Sequence, residues 1–205
     1  MPIILLIRHG ENDYVKKGRL AGRLPGVHLN ENGRRQALTL AERLKEAPIK
    51  ALYSSPLERA VETAHPIAES LGLEVIPRPG LMETDVGEWS GEKLKGLSRL
   101  KLWRVVQYAP SVMQFPGGES FMQTQIRIVQ ELLELSSQHE SQDMIACVGH
   151  ADPIRLAAAY FIGLPLDMFQ RLVVSPGSIT ILQLGEMGGK LLALNYEPAF
   201  TFRKS

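Results

Sequence analysis

Residues 3–10 read Ile-Ile-Leu-Leu-Ile-Arg-His-Gly, five apolar residues that run straight into a guanidinium, an imidazole and a glycine. An unbroken apolar run, rather than an alternating one, suits a strand covered on both faces, as in a parallel sheet. A charge at the tip of a buried strand is costly unless something compensates it, and an anion that comes and goes is the natural partner. The pattern recurs later in the chain. Residues 143–148, Asp-Met-Ile-Ala-Cys-Val, form a second apolar run that ends at Gly149 and His150.

The segments around these two runs alternate between strand and helix patterns. Ala37, Leu38, Leu40, Ala41 and Leu44 recur at helical spacing, with Arg34, Arg35, Glu42, Arg43 and Lys45 largely on the other side. Residues 49–53 read as a second strand. Ser55, Pro56 and Glu58 spell a capping box, with Ser55 as the cap of the next helix. Pro66 is expected to kink or break that helix. Residues 73–77 suit a third strand, and a glycine-bearing loop follows. Helices are expected over 92–108 and 119–139, split by the turn Phe-Pro-Gly-Gly-Glu-Ser (115–120). Asp152 and Pro153 restart a helix through Phe161. Residues 178–184 and 190–196 suit two strands joined across Gly-Glu-Met-Gly-Gly-Lys (185–190). That turn is not a phosphate loop, because its glycine-to-lysine spacing is wrong and Leu191 follows Lys190. The sum is an α/β fold: a mostly parallel central sheet with helices on both faces, a helical cap insertion over 88–125 and a C-terminal strand pair. One domain is expected to span 1–205.

Composition narrows the partners. A formal net charge of +1 gives no bulk field to attract nucleic acid or an anionic membrane, so an anion site must be a local cluster. The single cysteine, Cys147, allows no intrachain disulfide, which suits a reducing compartment, and its apolar strand marks it as core. The N-terminal apolar run is too short for a signal peptide and lacks a basic leader. Nothing approaches the ~20 apolar residues of a membrane span, so a soluble cytoplasmic protein is expected.

In an open parallel sheet, ligands bind beyond the carboxyl ends of the strands. One strand delivers Arg8, His9 and Gly10, another Gly149 and His150, and a third Ser54 and Ser55, with Arg59 one turn into the following helix. If the three are neighbours, two guanidiniums and two imidazoles converge. That set suits a phosphoryl group, because a guanidinium grips two phosphate oxygens at once. A neutral imidazole can attack phosphorus and become phosphorylated. The departing alkoxide then needs a proton, for which Glu83 is the candidate, with Glu11 and Glu88 as rivals. The residues alone leave open which imidazole attacks, and whether Arg59 instead pairs with Glu58 or Glu62 on the helix surface. His28, His65 and His139 lack a partner pattern and read as surface residues. Metal-ligand spacing such as His-Glu-x-x-His is absent, so no metal is expected. Trp89 and Trp103 either line the substrate mouth or pack the cap.

Five blocks occur in order: LLIRHGEN (5–12), SSPLERAVETA (54–64), LMETDVGEWSG (81–91), PGGES (116–120) and VGHADPIR (148–155). Over roughly residues 1–185 the chain resembles the histidine phosphatase superfamily, in its phosphoglycerate-mutase-like branch. The resemblance implies that His9 is the nucleophile, phosphorylated in each turnover. It implies Arg8, Arg59 and His150 around the phosphoryl oxygens, Glu83 as proton donor, and no metal or other cofactor. Asn12 stands where many relatives carry Thr or Ser, and its amide can still donate to a phosphate. Asp152 stands where many carry Gly or Asn, and is read as its helix's N-cap in preference to a carboxylate that repels a second anionic group. The expectation is a metal-independent phosphatase acting on phosphate monoesters of small metabolites through a phosphohistidine. The alternatives are a cofactor-dependent phosphoglycerate mutase, with Arg99, Lys101 and Arg104 as its extra cations, and a non-catalytic phosphate-binding module. The natural substrate and the oligomeric state stay open.

Overall fold

The computed structural model describes residues 2–185 and 188–197. From the N-terminus run strand β1 (Ile3–Arg8), helices α1 (Asp13–Lys16) and α2 (Glu31–Leu44), strand β2 (Ile49–Ser54), helix α3 (Glu58–Leu71) and strand β3 (Val75–Pro77). Then come helices α4 (Leu94–Leu97), α5 (Lys101–Tyr108) and α6 (Phe121–Ser137), strand β4 (Met144–Gly149), helix α7 (Ala151–Phe161), and strands β5 (Ile179–Gly185) and β6 (Gly188–Tyr196). The six strands form one sheet in the order β3-β2-β4-β1-β5-β6. The first four are parallel; β5 runs antiparallel to β1, and β6 antiparallel to β5. The α/β architecture and the C-terminal strand pair expected from sequence are therefore present. The hairpin pairs Gly185 with Gly188, while Glu186 and Met187 of its turn lie outside the described residues.

The continuous apolar strands are buried on both faces, for the reason the sequence suggests. Ile4 and Leu6 of β1 pack with Ile145 and Cys147 of β4 against Ile128, Leu132 and Leu135 of α6 and Ile154 and Ala157 of α7. Leu5 and Ile7 face the other way, towards Leu40 and Leu44 of α2 and Ala60, Ala64 and Ile67 of α3. A third cluster joins Trp89, Val106, Met113, Phe115 and Phe121 to Leu156 of α7 and Phe169. This cluster ties the segment 88–125 to the rest of the molecule.

Several local expectations give way to packing. Leu38 was expected on the apolar side of α2 but is 61% exposed; Gly33 joins Ala37, Leu40, Ala41 and Leu44 on the buried face instead. The capping box at Ser55 does not form: α3 begins at Glu58 with Leu57 as its cap residue and no side-chain cap. Ser55 is drawn away by His150, and Glu58 turns to accept from the Gly26 N–H at 2.9 Å. Pro66 does not break α3, which continues five residues further to bury Ile67 and Ala68. The strand expected over 73–77 is confined to Val75–Pro77, and the helix expected over 92–108 is two short pieces, α4 and α5. His139 is not a bare surface residue, since its Nε2 lies 2.9 Å from the Tyr53 hydroxyl.

Candidate active site

The three strand tips named from sequence are neighbours, and hydrogen bonds carry the ladder past the strand ends. Arg8 stands opposite Gly149, and Ser54 opposite Val148. The His9 N–H donates to the Gly149 carbonyl and the Ser55 N–H to the Val148 carbonyl, both at 2.9 Å. The chain turns at Gly10, whose N–H donates to Thr63 Oγ1 of α3 at 3.0 Å. A Cβ on Gly10 would lie 2.6 Å from the Gly33 carbonyl oxygen, so only glycine lets β1 and the start of α2 approach this closely.

His9 is buried, and its Nδ1 lies 2.7 Å from the Gly10 carbonyl. A carbonyl only accepts, so Nδ1 carries the proton and Nε2 the lone pair. Burial, with Arg59 and Arg8 nearby, holds the His9 pKa well below its ordinary value, and the ring stays neutral. His150 lies alongside, its ring centroid 5.2 Å from that of His9. Its Nε2 is 2.8 Å from Ser55 Oγ, and its Nδ1 is buried with no partner among the described residues. Burial, Arg59 and His9 keep this imidazole neutral as well.

The donors around the two rings are conspicuously unspent. Arg59 is 1% exposed; its Nη2 donates to the Gly22 carbonyl at 2.7 Å, but its Nε and Nη1 bond to nothing described. Arg8 Nη1 donates to the Val174 carbonyl at 2.6 Å, and its Nε is likewise free. Burial lowers both guanidinium pKa values, that of Arg8 to about 10. Asn12 is fully buried; its Oδ1 caps α1 by accepting from the Val15 N–H, which leaves the Nδ2 donors unpaired. Buried donors without partners each cost ~1–3 kcal/mol, more when charged, so this cluster is built for an acceptor from outside.

Arg8, His9, Asn12, Arg59 and Glu83 line one cavity of about 300 Å³. Glu83 accepts from the Thr84 N–H at 2.9 Å. Burial and the nearby Asp152 carboxylate raise its pKa to about 7, against the pull of Arg59 and Arg8. Its rivals are elsewhere: Glu11 accepts from Asn30 Nδ2, and Glu88 is exposed, and neither lines the cavity. Asp152 is not a cap. His150 is the cap residue of α7, without a side-chain bond, and Asp152 sits in the first turn, paired with Arg155 at 3.2 Å. Trp103 lines the cavity, while Trp89 is buried behind it, the two rings stacked with centroids 6.0 Å apart. Arg99, Lys101 and Arg104 are exposed and line no part of the cavity. Burial raises the thiol of Cys147 far above its ordinary value, which fits core rather than nucleophile.

Sequence reasoning passed over several contributors. Arg155 lies within VGHADPIR, lines the cavity and has a buried Nε without a partner. Like Arg59 in α3, it stands near the start of a helix that follows a strand tip, and that is a signal that was there to read. Arg23, Glu119 and Arg127 hold the loop that carries Glu83, and no spacing rule connects residues so far apart.

The model for the histidine phosphatase superfamily (branch 1) matches residues 4–197. Phosphoserine phosphatase 1 of Hydrogenobacter thermophilus is 31% identical over 194 residues, covering 94% of this chain and 91% of that protein. The 2,3-bisphosphoglycerate-dependent phosphoglycerate mutase of Thermoplasma acidophilum is 30% identical over 184 residues, covering 90% and 88%. Among solved structures, a phosphoserine phosphatase variant of Entamoeba histolytica in complex with phosphoserine superposes with a TM-score of 0.87 at 27% identity, covering 95% of this chain and 97% of that one.

Proposed function

The chain belongs to branch 1 of the histidine phosphatase superfamily, and from that premise we propose that it hydrolyses phosphate monoesters of small metabolites through a phosphohistidine at His9. One observation carries the reading: a neutral imidazole with its Nε2 lone pair free, ringed by buried guanidinium, amide and imidazole donors that have no partner among the described residues.

The chemistry follows from those groups. His9 Nε2 attacks phosphorus in line, the P–N bond forms and the P–O bond to the alcohol breaks. Glu83, protonated at and below about pH 7, gives its proton to the departing oxygen. Arg8, Arg59, Asn12 and His150 donate to the non-bridging oxygens. Ser55 Oγ already accepts from the Leu57 N–H at 3.3 Å, and donating its proton to His150 Nε2 leaves Nδ1–H to face the phosphoryl group. Water, deprotonated by Glu83, then attacks phosphorus, the P–N bond breaks, and phosphate leaves. Four fixed donors do the charge stabilisation that a metal does in other phosphatases, so turnover is expected to be metal-independent and to persist in EDTA. The segment 88–125 acts as a cap, supported by Trp103, Val106, Phe115 and Phe121 in the cavity wall.

Phosphoserine is the first substrate to assay, on the strength of the similar proteins bearing that name. The mutase reading has less support, because the cations it would recruit, Arg99, Lys101 and Arg104, lie outside the cavity. A cytoplasmic setting belongs to the same proposal, supported by the lone cysteine and by the absence, among the described residues, of a helix long and apolar enough to cross a membrane. The test is His9→Ala assayed on p-nitrophenyl phosphate and phosphoserine. The expected loss is more than ~10³-fold, beyond that for a single transition-state donor, together with loss of the acid-labile phosphoenzyme trapped by quenching the wild type. Near-normal turnover in this variant would falsify the proposal.

A further inference from the structure

Two cations grip the main chain of Glu83. Arg23 Nε donates to the Glu83 carbonyl at 2.8 Å, and Arg127 Nη2 donates to the same oxygen at 3.3 Å. Arg23 lies in the loop between α1 and α2, and Arg127 in the second turn of α6. Arg127 Nη1 also ties down the carbonyls of Gly80 at 2.8 Å and Met82 at 2.9 Å, which fixes the approach to Glu83.

One carboxylate answers both guanidiniums. Glu119 Oε1 accepts from Arg23 Nη2 at 2.7 Å and from Arg127 Nε at 3.1 Å, while Oε2 accepts from Arg127 Nη2 at 3.0 Å. The Asp85 N–H at 3.1 Å and Thr124 Oγ1 at 3.0 Å complete its shell. Burial pushes the Glu119 carboxyl up, but Arg127, the Asp85 N–H and Arg23 outweigh it and hold the pKa at about 2. Glu119 is therefore an anion at any pH at which the site works.

The balance of charge around Glu83 is narrow. Asp152 of α7 faces it as an anion; Arg59 of α3 and Arg8 of β1 face it as cations. Arg155 of α7 lines the same cavity as His9, whose ring is neutral, and the neutral ring of His150 lies against that of His9. Asp85 gives Arg23 a second, looser ion pair at 3.8 Å. Without Glu119 the net charge held against the Glu83 main chain would rise by one positive unit and favour the Glu83 carboxylate, which has no proton to give.

We propose that Glu119 is a positioning residue for Glu83: it lets two guanidiniums fix the Glu83 main chain while cancelling the positive charge that would strip the side chain of its proton. The inference rests on the reading of Glu83 as proton donor.

The experiment is kcat/KM against pH for the wild type, Glu119→Gln and Arg23→Gln, on two substrates. Phosphoserine has an alkoxide leaving group that needs a proton, whereas p-nitrophenolate leaves without one. Glu119→Gln is expected to move the alkaline limb for phosphoserine about one pH unit lower, and to lose roughly fivefold more activity at pH 7 on phosphoserine than on p-nitrophenyl phosphate. Arg23→Gln removes one cation and keeps the anion, so its limb is expected to move higher; this still decides the matter if Glu119→Gln does not fold. An unmoved limb with equal losses on both substrates in Glu119→Gln overturns the inference, as does an Arg23→Gln limb that stays or moves lower. Glu83→Gln, run alongside, separates the two levels. If it loses no more on phosphoserine than on p-nitrophenyl phosphate, the proton-donor reading itself fails. If it does discriminate while Glu119→Gln does not, only the role of Glu119 falls.

Discussion

A guanidinium that is 1% exposed and makes one hydrogen bond to the described residues is an expensive object. Arg59 is buried because α3 packs its first turn against the tips of β1 and β4, and its free Nε and Nη1 are left for a ligand. The two imidazoles meet the opposite condition. Burial beside Arg59 and Arg8 keeps both neutral, and for His9 a neutral ring is the reactive form. Glu83 completes the division of labour, because its raised pKa, about 7, keeps a proton on a carboxyl at neutral pH. The sign of the pH dependence follows. As pH rises through about 7, Glu83 loses the proton that the proposed mechanism has it donate, and kcat/KM on alkyl monoesters falls towards tenfold per pH unit. As pH falls below 6.5, His9 stays unprotonated, since its pKa lies well below that value. A kcat/KM–pH profile on phosphoserine should therefore have its alkaline limb near 7 and its acid limb well under 6.5. A maximum above pH 8 would contradict this assignment. His9 and Glu83 were both candidates from sequence, but only the Gly10 carbonyl contact reveals which ring nitrogen of His9 is free.

At the scale of elements, α3 does more than present Arg59. Thr63 on the next turn receives the Gly10 N–H, and Glu62 accepts from the Leu29 N–H at 2.8 Å, so one helix fixes both β1's turn and the loop over the cavity. That load explains why α3 runs through Pro66, a residue that forfeits the hydrogen bond to the Glu62 carbonyl. Pro66→Ala should restore it, stabilising the fold by about 1–3 kcal/mol and raising Tm by several degrees. An unchanged or lowered Tm in thermal denaturation would show that the backbone at Pro66 has already adapted. The capping reading at Ser55 is instructive here. Sequence rules describe a helix end in isolation, and the side chain that would have capped α3 is instead 2.8 Å from His150 Nε2. The same holds for Asp152, whose apparent cap position is taken by the extended backbone of His150.

Across the whole molecule, the sheet order β2-β4-β1 makes three distant segments into one site. Positive charge is concentrated there while the chain as a whole carries only +1. An anion that fills the site satisfies buried donors in the folded state alone, so it must stabilise the fold by mass action. Inorganic phosphate at a hundred times its Kd should add ~2.7 kcal/mol, which in a chain of this size raises Tm by about 5–10 °C. Sulfate or chloride at matched ionic strength controls for salt, and a phosphate effect no larger than that of chloride would mean that the donors are not a phosphate site.

By itself the sequence determined the alternation of buried strands and helices, because burial on both faces demands unbroken apolar runs that no other element needs. It also marked the strand tips as the candidate site, because Arg8, His9, Gly10, Gly149 and His150 are local departures from those runs. What only the tertiary structure decided is everything that depends on a partner far along the chain. The free nitrogen of His9, the raised pKa of Glu83 beside Asp152, the pairing of Glu119 with Arg23 and Arg127, and the exclusion of Arg99, Lys101 and Arg104 from the cavity are of this kind. Hydrogen bonds and buried charges act over a few ångströms of space, and separation along the chain carries no record of that distance.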